Sequence, residues 1–150
     1  MRCEVITVGT EILLGDTVNT NAAWISRRLA QYGVNLFQQR TVGDNHGRLV
    51  ALLQESMREN DIIVTTGGLG PTQDDITREC VAEALGVPLV LAEFSLKRIQ
   101  SFFELRGRTM TENNRRQAMI PRGGTALLND AGTAPGCLIT VGTTTVIMLP

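Results

Sequence analysis

Short β-branched runs alternate along the first half of the chain with stretches of helical spacing. The pattern predicts strands over residues 4–9, 34–42 and 61–66. Each predicted strand is followed by a helix whose apolar positions recur three or four residues apart. These helices begin near residues 19–21, 44–46 and 76. The first half of the chain therefore predicts three strand–helix alternations.

The second half of the chain has a more mixed pattern. It predicts an extended segment over residues 87–91, a helix over 94–106 and a short helix capped by Thr111. A turn over 121–124 and a strand over 126–128 come next, and the chain closes with a hairpin of residues 137–141 and 144–149. Strand–helix alternations with a terminal hairpin predict an α/β sandwich with a mostly parallel sheet and helices on both faces. We expect its ligand site at the carboxyl ends of the strands.

The stretch richest in candidate chemistry is residues 65–77, between the third strand and its helix. Gly67, Gly68 and Gly70 let a ligand approach the backbone, and their N–H groups can form an anion-binding concavity beside a helix N-terminus. Asp74 and Asp75 follow, and two carboxylates about 5 Å apart repel by roughly 3 kcal/mol at an effective dielectric near 20. A bound phosphate would add to this repulsion. We therefore predict a divalent cation such as Mg²⁺, held by Asp74, Asp75 and the substrate phosphates.

A purely structural interpretation of the same stretch stays open. Asp75 can cap the helix without any ligand, and glycines after a strand often only turn the chain. The stretch is not a Walker A loop, because no lysine follows the glycines, and the glycine spacing differs from the dinucleotide-binding fingerprint.

Acidic residues in two other loops are further candidates. Asp44 occupies the same strand-to-helix position as Asp74 and Asp75. If adjacent parallel strands carry both turns, these carboxylates meet across the top of the sheet. Glu11 and Asp16 lie in a predicted loop at the end of the first strand, where each either faces the site or is simply solvated.

Two later segments could contribute to binding. The only basic concentration, residues 106–117, carries Asn114, Arg115 and Arg116, which either clamp a phosphate or form a solvated basic face. The small-residue loop 129–136 includes Gly132 and Thr133, and it either allows close approach of a ligand or only connects two strands.

Composition narrows the functional class. A net charge of −1 argues against nonspecific nucleic-acid binding, and Lys97 is the only lysine. His46 is the only histidine, so no site built on several histidines is possible, and we expect it at a helix start or on the surface. Trp24, the only tryptophan, is expected to pack in the core. Three distant cysteines and the absence of a signal-like or membrane-spanning run predict a reduced, soluble, cytoplasmic protein.

Four motifs together resemble a known family. They are residues 66–77 (TGGLGPTQDDIT), 41–45 (TVGDN), 113–118 (NNRRQA) and 132–136 (GTAPG). The combination is similar to the amino-terminal domain of the competence/damage-inducible protein A (CinA-like) family, in the molybdopterin-binding superfamily of molybdenum-cofactor biosynthesis proteins. The similarity covers residues 1–150 as one domain. Asp130 departs from it, because the family often has proline there.

The resemblance implies a three-layer α/β/α fold and a homo-oligomer, a dimer or a trimer. It also implies one of two activities: metal-dependent hydrolysis of ADP-ribose to AMP and ribose 5-phosphate, or binding and adenylylation of molybdopterin. A noncatalytic binding domain is the third alternative. The family usually continues after its Leu-Pro pair with a further loop, whereas this sequence stops at Leu149 and Pro150. We therefore expect a fragment of a longer protein.

Under the pyrophosphatase hypothesis, Asp74 or Asp75, with Asp44, positions the metal and activates water, and Arg115 or Arg116 stabilises charge on the phosphates. Asp75 and Asp44 match the acids of the family's two turns. The residues expected to bind substrate or phosphate are Thr66, Gly67, Gly68, Gly70, Thr77, Asn114, Arg115, Arg116, Gly132 and Thr133.

Overall fold

The computed structural model describes all 150 residues. Its strands are β1 (Arg2–Val8), β2 (Asn35–Val42), β3 (Ile62–Thr66), β4 (Leu89–Leu91), β5 (Met119–Pro121), β6 (Thr125–Leu127), β7 (Gly136–Val141) and β8 (Thr144–Leu149). Its helices are α1 (Thr10–Leu13), α2 (Thr20–Gln31), α3 (His46–Glu59), α4 (Thr77–Leu85), α5 (Glu93–Glu104) and α6 (Glu112–Arg115), and a 3₁₀ turn covers Arg116–Ala118.

Six strands form the central sheet, in the order β2-β1-β3-β8-β7-β6. The first four of these are parallel to one another, whereas β7 runs antiparallel to both β8 and β6. The predicted terminal hairpin exists, and it places β8 beside β3 in the interior of the sheet. The predicted mostly parallel sheet is confirmed.

Helices cover both faces of this sheet because side chains alternate along each strand. On one face Ile6, Ile63 and Val146 belong to a core cluster that also contains Leu49 of α3 and Val81 of α4. On the other face, Cys3, Val5 and Val64 pack with Ala22 and Ile25 of α2. The two clusters give the predicted α/β/α layering.

A second, smaller sheet lies outside these layers. β4 pairs with β5 in antiparallel register, Val90 opposite Ile120. The extended segment at residues 87–91 was predicted from the sequence, but β5 was not, since it is three residues long and ends in a proline. A third cluster of Leu96, Ile99 and Ala118 packs α5 against the 3₁₀ turn.

Two sequence predictions about the first helices are wrong. The expected loop over residues 10–16 contains the one-turn helix α1. Trp24 does not pack in the core: it is 56% exposed, and the Arg28 guanidinium carbon lies 5.2 Å from the centre of its ring. A cation–π contact therefore holds the tryptophan on the surface of α2.

The remaining composition-based predictions concern cysteines and membranes. Cys3, Cys80 and Cys137 are free and buried, and burial raises their pKa to about 11, about 12 and about 11. None of the helices combines the length and the apolar character needed to cross a bilayer.

A buried ion pair joins Glu4 of β1 to Arg40 of β2. The carboxylate of Glu4 is fully buried and accepts hydrogen bonds from Arg40 Nε, from Arg40 Nη2 at 3.1 Å and from Asn60 Nδ2 at 2.9 Å. Arg40 also donates to Ser56 Oγ at 2.8 Å and pairs with the exposed Glu55 at 3.1 Å. The pair raises the pKa of Arg40 above its ordinary value, chiefly through the hydrogen bonds to Glu4. This network connects β1 and β2 to the end of α3.

Candidate functional site

The glycine turn, defined here as residues 67–75, leads from the end of β3 to the start of α4. Its first residue is fastened to the neighbouring strand, because Gly67 N donates to Leu149 O at 3.1 Å. Gly67 has a φ of +94°, and a β-carbon there would overlap the carbonyl oxygen of Val8. Glycine is therefore required here by the approach of the protein's own backbone.

Thr77 fixes the orientation of the two peptide groups that join Gly67 to Gly68 and Gly68 to Leu69. Its hydroxyl donates to Gly67 O at 2.8 Å, and its backbone N–H donates to Gly68 O at 3.1 Å. In a trans peptide the N–H points away from the C=O. The N–H groups of Gly68 and Leu69 consequently point away from Thr77, and neither donates a hydrogen bond within the chain.

Two successive unpaired N–H groups form a concavity that suits one anionic oxygen or one phosphate. The other amides of the predicted cradle are already used, since Gly67 N bonds Leu149 and Gly70 N bonds Asp75. Thr77 was predicted to contact the ligand, but it is fully buried and acts on the turn from below. Gly68 and Leu69 thus supply two neighbouring donors that remain unpaired, and the amides of Gln73 and Asp74 donate no hydrogen bond either.

Asp75 closes the turn on itself. Its carboxylate accepts hydrogen bonds from Gly70 N at 2.8 Å, from Thr72 N at 2.9 Å and from Thr72 Oγ1 at 2.5 Å. Burial raises the pKa of this carboxyl, but the hydrogen bonds and the charge of Arg78 outweigh burial and leave the pKa below its ordinary value. Asp75 is therefore ionised and committed to the loop. The alternative in which it caps α4 is wrong, because the helix starts at Thr77 with Ile76 at the cap position.

Two arginines hold the turn through its backbone carbonyl groups. Arg78 is 2% exposed and donates to the carbonyls of Leu69 and Gly70. Arg116 reaches the turn from the 3₁₀ segment, donating to Thr72 O at 3.0 Å and to Glu79 Oε1 at 2.8 Å. Burial lowers the pKa of Arg78, while the carboxylates of Glu79 and Asp75 oppose that shift. The charge of Asp75 is thus balanced inside the chain, so carboxylate repulsion does not by itself demand a metal.

Sequence reasoning missed Arg78, although a signal existed. Arg78 precedes Val81, Ala82 and Leu85 by three, four and seven residues, and it therefore lies on the apolar face of α4. A charged residue in that position must find a buried partner. Here the partners are the backbone carbonyls of the glycine turn.

The remaining acids do not form a metal cage. Asp74 is exposed and its carboxylate has no hydrogen-bond partner, while Oδ2 of Asp44 accepts from Thr10 N at 2.9 Å and Thr10 Oγ1 at 2.8 Å. The expectation of adjacent strands is wrong: β1 lies between β2 and β3, so the two acidic turns are separated by roughly 10 Å of sheet. No group of three or more His, Cys, Asp or Glu side chains is arranged to hold a metal.

A polar cavity of about 240 Å³ lies at the carboxyl ends of β1 and β3. Glu11, Thr66 and Gly67 line it, which brings two predicted ligand-binding residues and one candidate acid together, whereas Asp16 does not line it. Asn19 Nδ2 donates to Thr7 Oγ1 at 2.9 Å and Asn21 Nδ2 to Thr66 Oγ1 at 3.3 Å. The start of α2 therefore supplies polar groups to this edge that the sequence did not suggest.

Other predicted residues lie elsewhere. The side chain of Asn114 is used inside α6, where it accepts from Thr111 N at 3.2 Å and Thr111 Oγ1 at 2.8 Å. Arg115 is exposed, 3.8 Å from Glu112. Gly132 and Thr133 line a separate groove against α5. His46 is the first residue of α3 and is exposed beside Glu83 at 3.1 Å, as expected of a helix-start residue.

The parallel sheet with a phosphate-sized turn at its carboxyl edge defines an α/β ligand-binding domain. Residues 4–150 match the family described as "Probable molybdopterin binding domain". The chain belongs to this molybdopterin-binding domain family, in its CinA-like branch. A CinA-like protein of Dictyoglomus thermophilum is 51% identical over the whole chain.

Solved structures give the same relationship. The chain superposes on the CinA protein of Thermoplasma acidophilum with a TM-score of 0.93 at 37% identity, covering 100% of this chain and 88% of that one. The molybdopterin biosynthesis enzyme MoaB of Thermus thermophilus shares the fold, with a TM-score of 0.66 at 20% identity over 99% of this chain and 80% of that one. The chain spans about a third of the length of the curated relative from Dictyoglomus, 36%.

Proposed function

We propose that this domain is a metal-dependent nucleotide pyrophosphatase that hydrolyses ADP-ribose-like diphosphates to AMP and ribose 5-phosphate. In this reaction the oxygen of water bonds to one phosphorus while the bridging P–O bond breaks. The attacked phosphorus keeps the oxygen of water, and the other phosphate keeps the bridging oxygen. The two protons of water are shared between the two phosphomonoester products and the solvent. The resemblance of the four motifs to CinA-like proteins supports this choice of substrate.

The observation that carries the proposal is the pair of unpaired amides at Gly68 and Leu69. Hydrogen-bond donors that are already oriented stabilise charge on a phosphate oxygen without reorganising during the reaction. The orientation of these two comes from Thr77, Arg78 and Asp75, all of which act from within the protein. The turn is therefore preorganised for an anion.

The residues present fit a metal only in part. Mg²⁺ is commonly bound by one or two carboxylates together with substrate phosphates, so it does not require a protein cage. Asp74 is the carboxylate of the turn that has no internal partner, and it would hold the ion together with the diphosphate. A metal in that position would neutralise the diphosphate and lower the pKa of bound water. Asp75 is better assigned to the loop, and Asp44 to Thr10, than to direct coordination.

The arginines divide into two roles under this proposal. Arg116 is engaged with Thr72 and Glu79 and holds the loop in place. Arg115 is exposed and its distance of 3.8 Å from Glu112 leaves it available for a phosphate. Because its neighbour Arg116 contacts the turn at Thr72, Arg115 is our candidate for stabilising charge on the leaving group, although it contacts no residue of the turn itself.

The test is an ADP-ribose hydrolysis assay with Mg²⁺, with and without EDTA, using the wild type, Asp74→Asn and Arg28→Gln. The wild type should release AMP only with metal, and Asp74→Asn should lose at least tenfold in kcat/KM while its melting temperature stays unchanged. Arg28→Gln removes an exposed charge far from the turn and should be fully active. Metal-independent turnover, or full activity in Asp74→Asn, would contradict the proposal.

The second candidate is binding or adenylylation of a pterin. The observation in its favour is that the fold is shared with the molybdopterin biosynthesis enzyme MoaB. The same two amides would then hold the pterin phosphate without hydrolysis. Retention of molybdopterin on the purified protein, together with no AMP release from ADP-ribose, would favour this candidate.

The intact Asp75 loop without any metal cluster is equally compatible with a binding domain that performs no chemistry.

A further inference from the structure

A second cavity is the α5 groove, defined by residues 94–106 on one face of α5 and just beyond its end, and by the loop at residues 128–135. Its volume is about 410 Å³, within the range of roughly 300–1,000 Å³ found for small-molecule sites. The cavity beside the glycine turn, at about 240 Å³, is below that range. A ligand as long as a nucleotide diphosphate sugar therefore cannot be enclosed beside the turn alone.

Strand directions place both cavities on one edge of the sheet. Thr66 at the end of β3 pairs with Leu149 at the end of β8. β7 runs the opposite way, so its first residues lie at that same edge, with Cys137 opposite Met148. The loop that lines the groove enters β7 at this point. Since only β8 separates β3 from β7, the two loops start roughly 10 Å apart.

The groove combines apolar surface with positive charge. Phe94, Leu105 and Leu128 line it and are 62%, 86% and 60% exposed, which is unusual for neighbouring apolar side chains without a partner. Three cationic side chains line it against one carboxylate, in a chain whose net charge is −1. These cations are Lys97, Arg98 and Arg106, and the carboxylate is Asp130.

The cations differ in how they are engaged. Arg98 pairs with Asp130 at 2.8 Å and joins α5 to the loop. The Arg106 guanidinium carbon lies 3.6 Å from the centre of the Phe102 ring, so this cation is in contact with the aromatic ring. Lys97, the only lysine, has no ion-pair partner. The groove therefore offers one unpaired cation, Lys97, together with aromatic rings and arginine side chains.

We propose that the α5 groove binds the base and phosphate of a nucleotide. Aromatic rings and arginine planes stack on nucleobases, and a free lysine pairs with a phosphate. A long anionic peptide would need an extended surface, whereas this cavity is bounded by the Arg98–Asp130 pair and by the loop, which Asn129 closes on Ala134 O at 2.9 Å. The choice of AMP as the nucleotide rests on the proposed function. The proposal that the groove binds a nucleotide does not rest on it.

The experiment is titration of the ¹⁵N-labelled protein with AMP, followed by NMR, with affinities from calorimetry. Ribose 5-phosphate is the matched ligand, because it carries the phosphate without the base. AMP should shift amide signals over residues 94–106 and 128–135, and ribose 5-phosphate should do so with an affinity at least about tenfold lower, because it lacks the base. Because AMP binding needs no turnover, the result is independent of whether ADP-ribose is hydrolysed.

Matched variants separate the groove from other exposed residues. Phe94→Ala should weaken AMP binding about tenfold and Lys97→Gln severalfold, while inorganic phosphate still shifts Gly68 and Leu69. Phe37→Ala and Arg27→Gln change an exposed aromatic and an exposed cation elsewhere and should bind AMP normally.

Three results would overturn the inference. They are AMP affinity unchanged in both groove variants, AMP shifts confined to the glycine turn, and a wild-type dimer in sedimentation that Phe94→Ala dissociates. The last result would assign the groove to a second copy of the chain. If the wild type bound AMP at the groove but did not hydrolyse ADP-ribose, the result would instead count against the proposed function alone.

Discussion

Thr77 lies directly beneath Gly68: its N–H donates to the Gly68 carbonyl at 3.1 Å, and its hydroxyl occupies the space that a β-carbon on Gly68 would need. The same hydroxyl donates to Gly67 O at 2.8 Å. One fully buried side chain thus sets the direction of two peptide groups whose N–H groups are unpaired. The arrangement of the turn is built from inside the protein.

Removing only the hydroxyl of Thr77 should therefore impair anion binding. Thr77→Val keeps the shape of the side chain but leaves Gly67 O without its donor, so the first peptide group of the turn can rotate. We expect phosphate affinity to fall about tenfold and stability to fall by about 1–3 kcal/mol. Calorimetric titration with inorganic phosphate and urea denaturation measure the two effects.

Thr77→Ser is the control, because it retains the donor and loses only a methyl group. It should bind phosphate within about twofold of the wild type, despite a stability loss of about 1 kcal/mol for the deleted methyl. Equal phosphate affinity in the Val and Ser variants would show that the hydroxyl does not position the turn.

Gly68 and Gly86 offer a comparison of two glycines with the same backbone conformation. Both have a φ of +68°, but a β-carbon on Gly68 would overlap Thr77, whereas nothing lies within 4 Å of one on Gly86. Gly86→Ala should cost about 1–2 kcal/mol, the strain of a left-handed alanine. Gly68→Ala should cost at least about 2 kcal/mol more, since Thr77 must also move. Thermal or urea unfolding of the two variants gives the difference directly, and equal costs would mean that the turn can relax around the added methyl.

Much of the architecture follows from local patterns. The spacing of Leu49, Val50 and Leu53 predicts α3, and Asn19 predicts the start of α2, where its side chain accepts from Ala22 N at 3.2 Å. These features depend on residues close in sequence. The position of the glycine turn also follows, because the parallel strands end at one edge of the sheet and a polar cavity lies there.

Features that depend on distant contacts were not predictable in the same way. Nothing local shows that β1 separates β2 from β3, and so Asp44 was expected beside Asp75 when it in fact bonds Thr10. The hydrogen bonds of Asp75 to Gly70 and Thr72 are also invisible in a pattern that fits a helix cap equally well. In both cases the side-chain chemistry was clear and only its partner was unknown.

The low pKa of Asp75 makes a prediction about acid stability. A carboxyl whose folded-state pKa is below its unfolded value stabilises the fold at pH values above the unfolded pKa, and this contribution is lost as the pH falls through the folded pKa. The ordinary value is 3.8, so the loss should begin near pH 4 and continue below it. Asp75→Asn lacks the titrating group. Its stability deficit relative to the wild type should therefore be largest at neutral pH and should shrink below about pH 4.

The neighbouring Asp74 is the matched control for this experiment, since its carboxylate is exposed and has no hydrogen-bond partner. Asp74→Asn should follow the wild-type curve of urea midpoint against pH. If the deficit of Asp75→Asn stayed constant from pH 7 to pH 3, the charge of Asp75 would have no role in closing the turn.

Arg40 pairs with one buried and one exposed carboxylate, which allows a buried and an exposed ion pair to be compared within one network. Glu4 is fully buried and holds Arg40 and Asn60, whereas the Glu55 side chain is 57% exposed. Glu4→Gln replaces one carboxylate oxygen by an NH₂ group that faces the N–H donors of Arg40 and Asn60. It also leaves Arg40 without its buried counter-charge. We expect a loss of roughly 3 kcal/mol in the free energy of unfolding by urea. Glu55→Gln makes the same chemical change on the surface and should cost less than about 1 kcal/mol. Similar losses for the two variants would mean that the buried contact of Arg40 with Glu4 stabilises the fold no more than its exposed contact with Glu55.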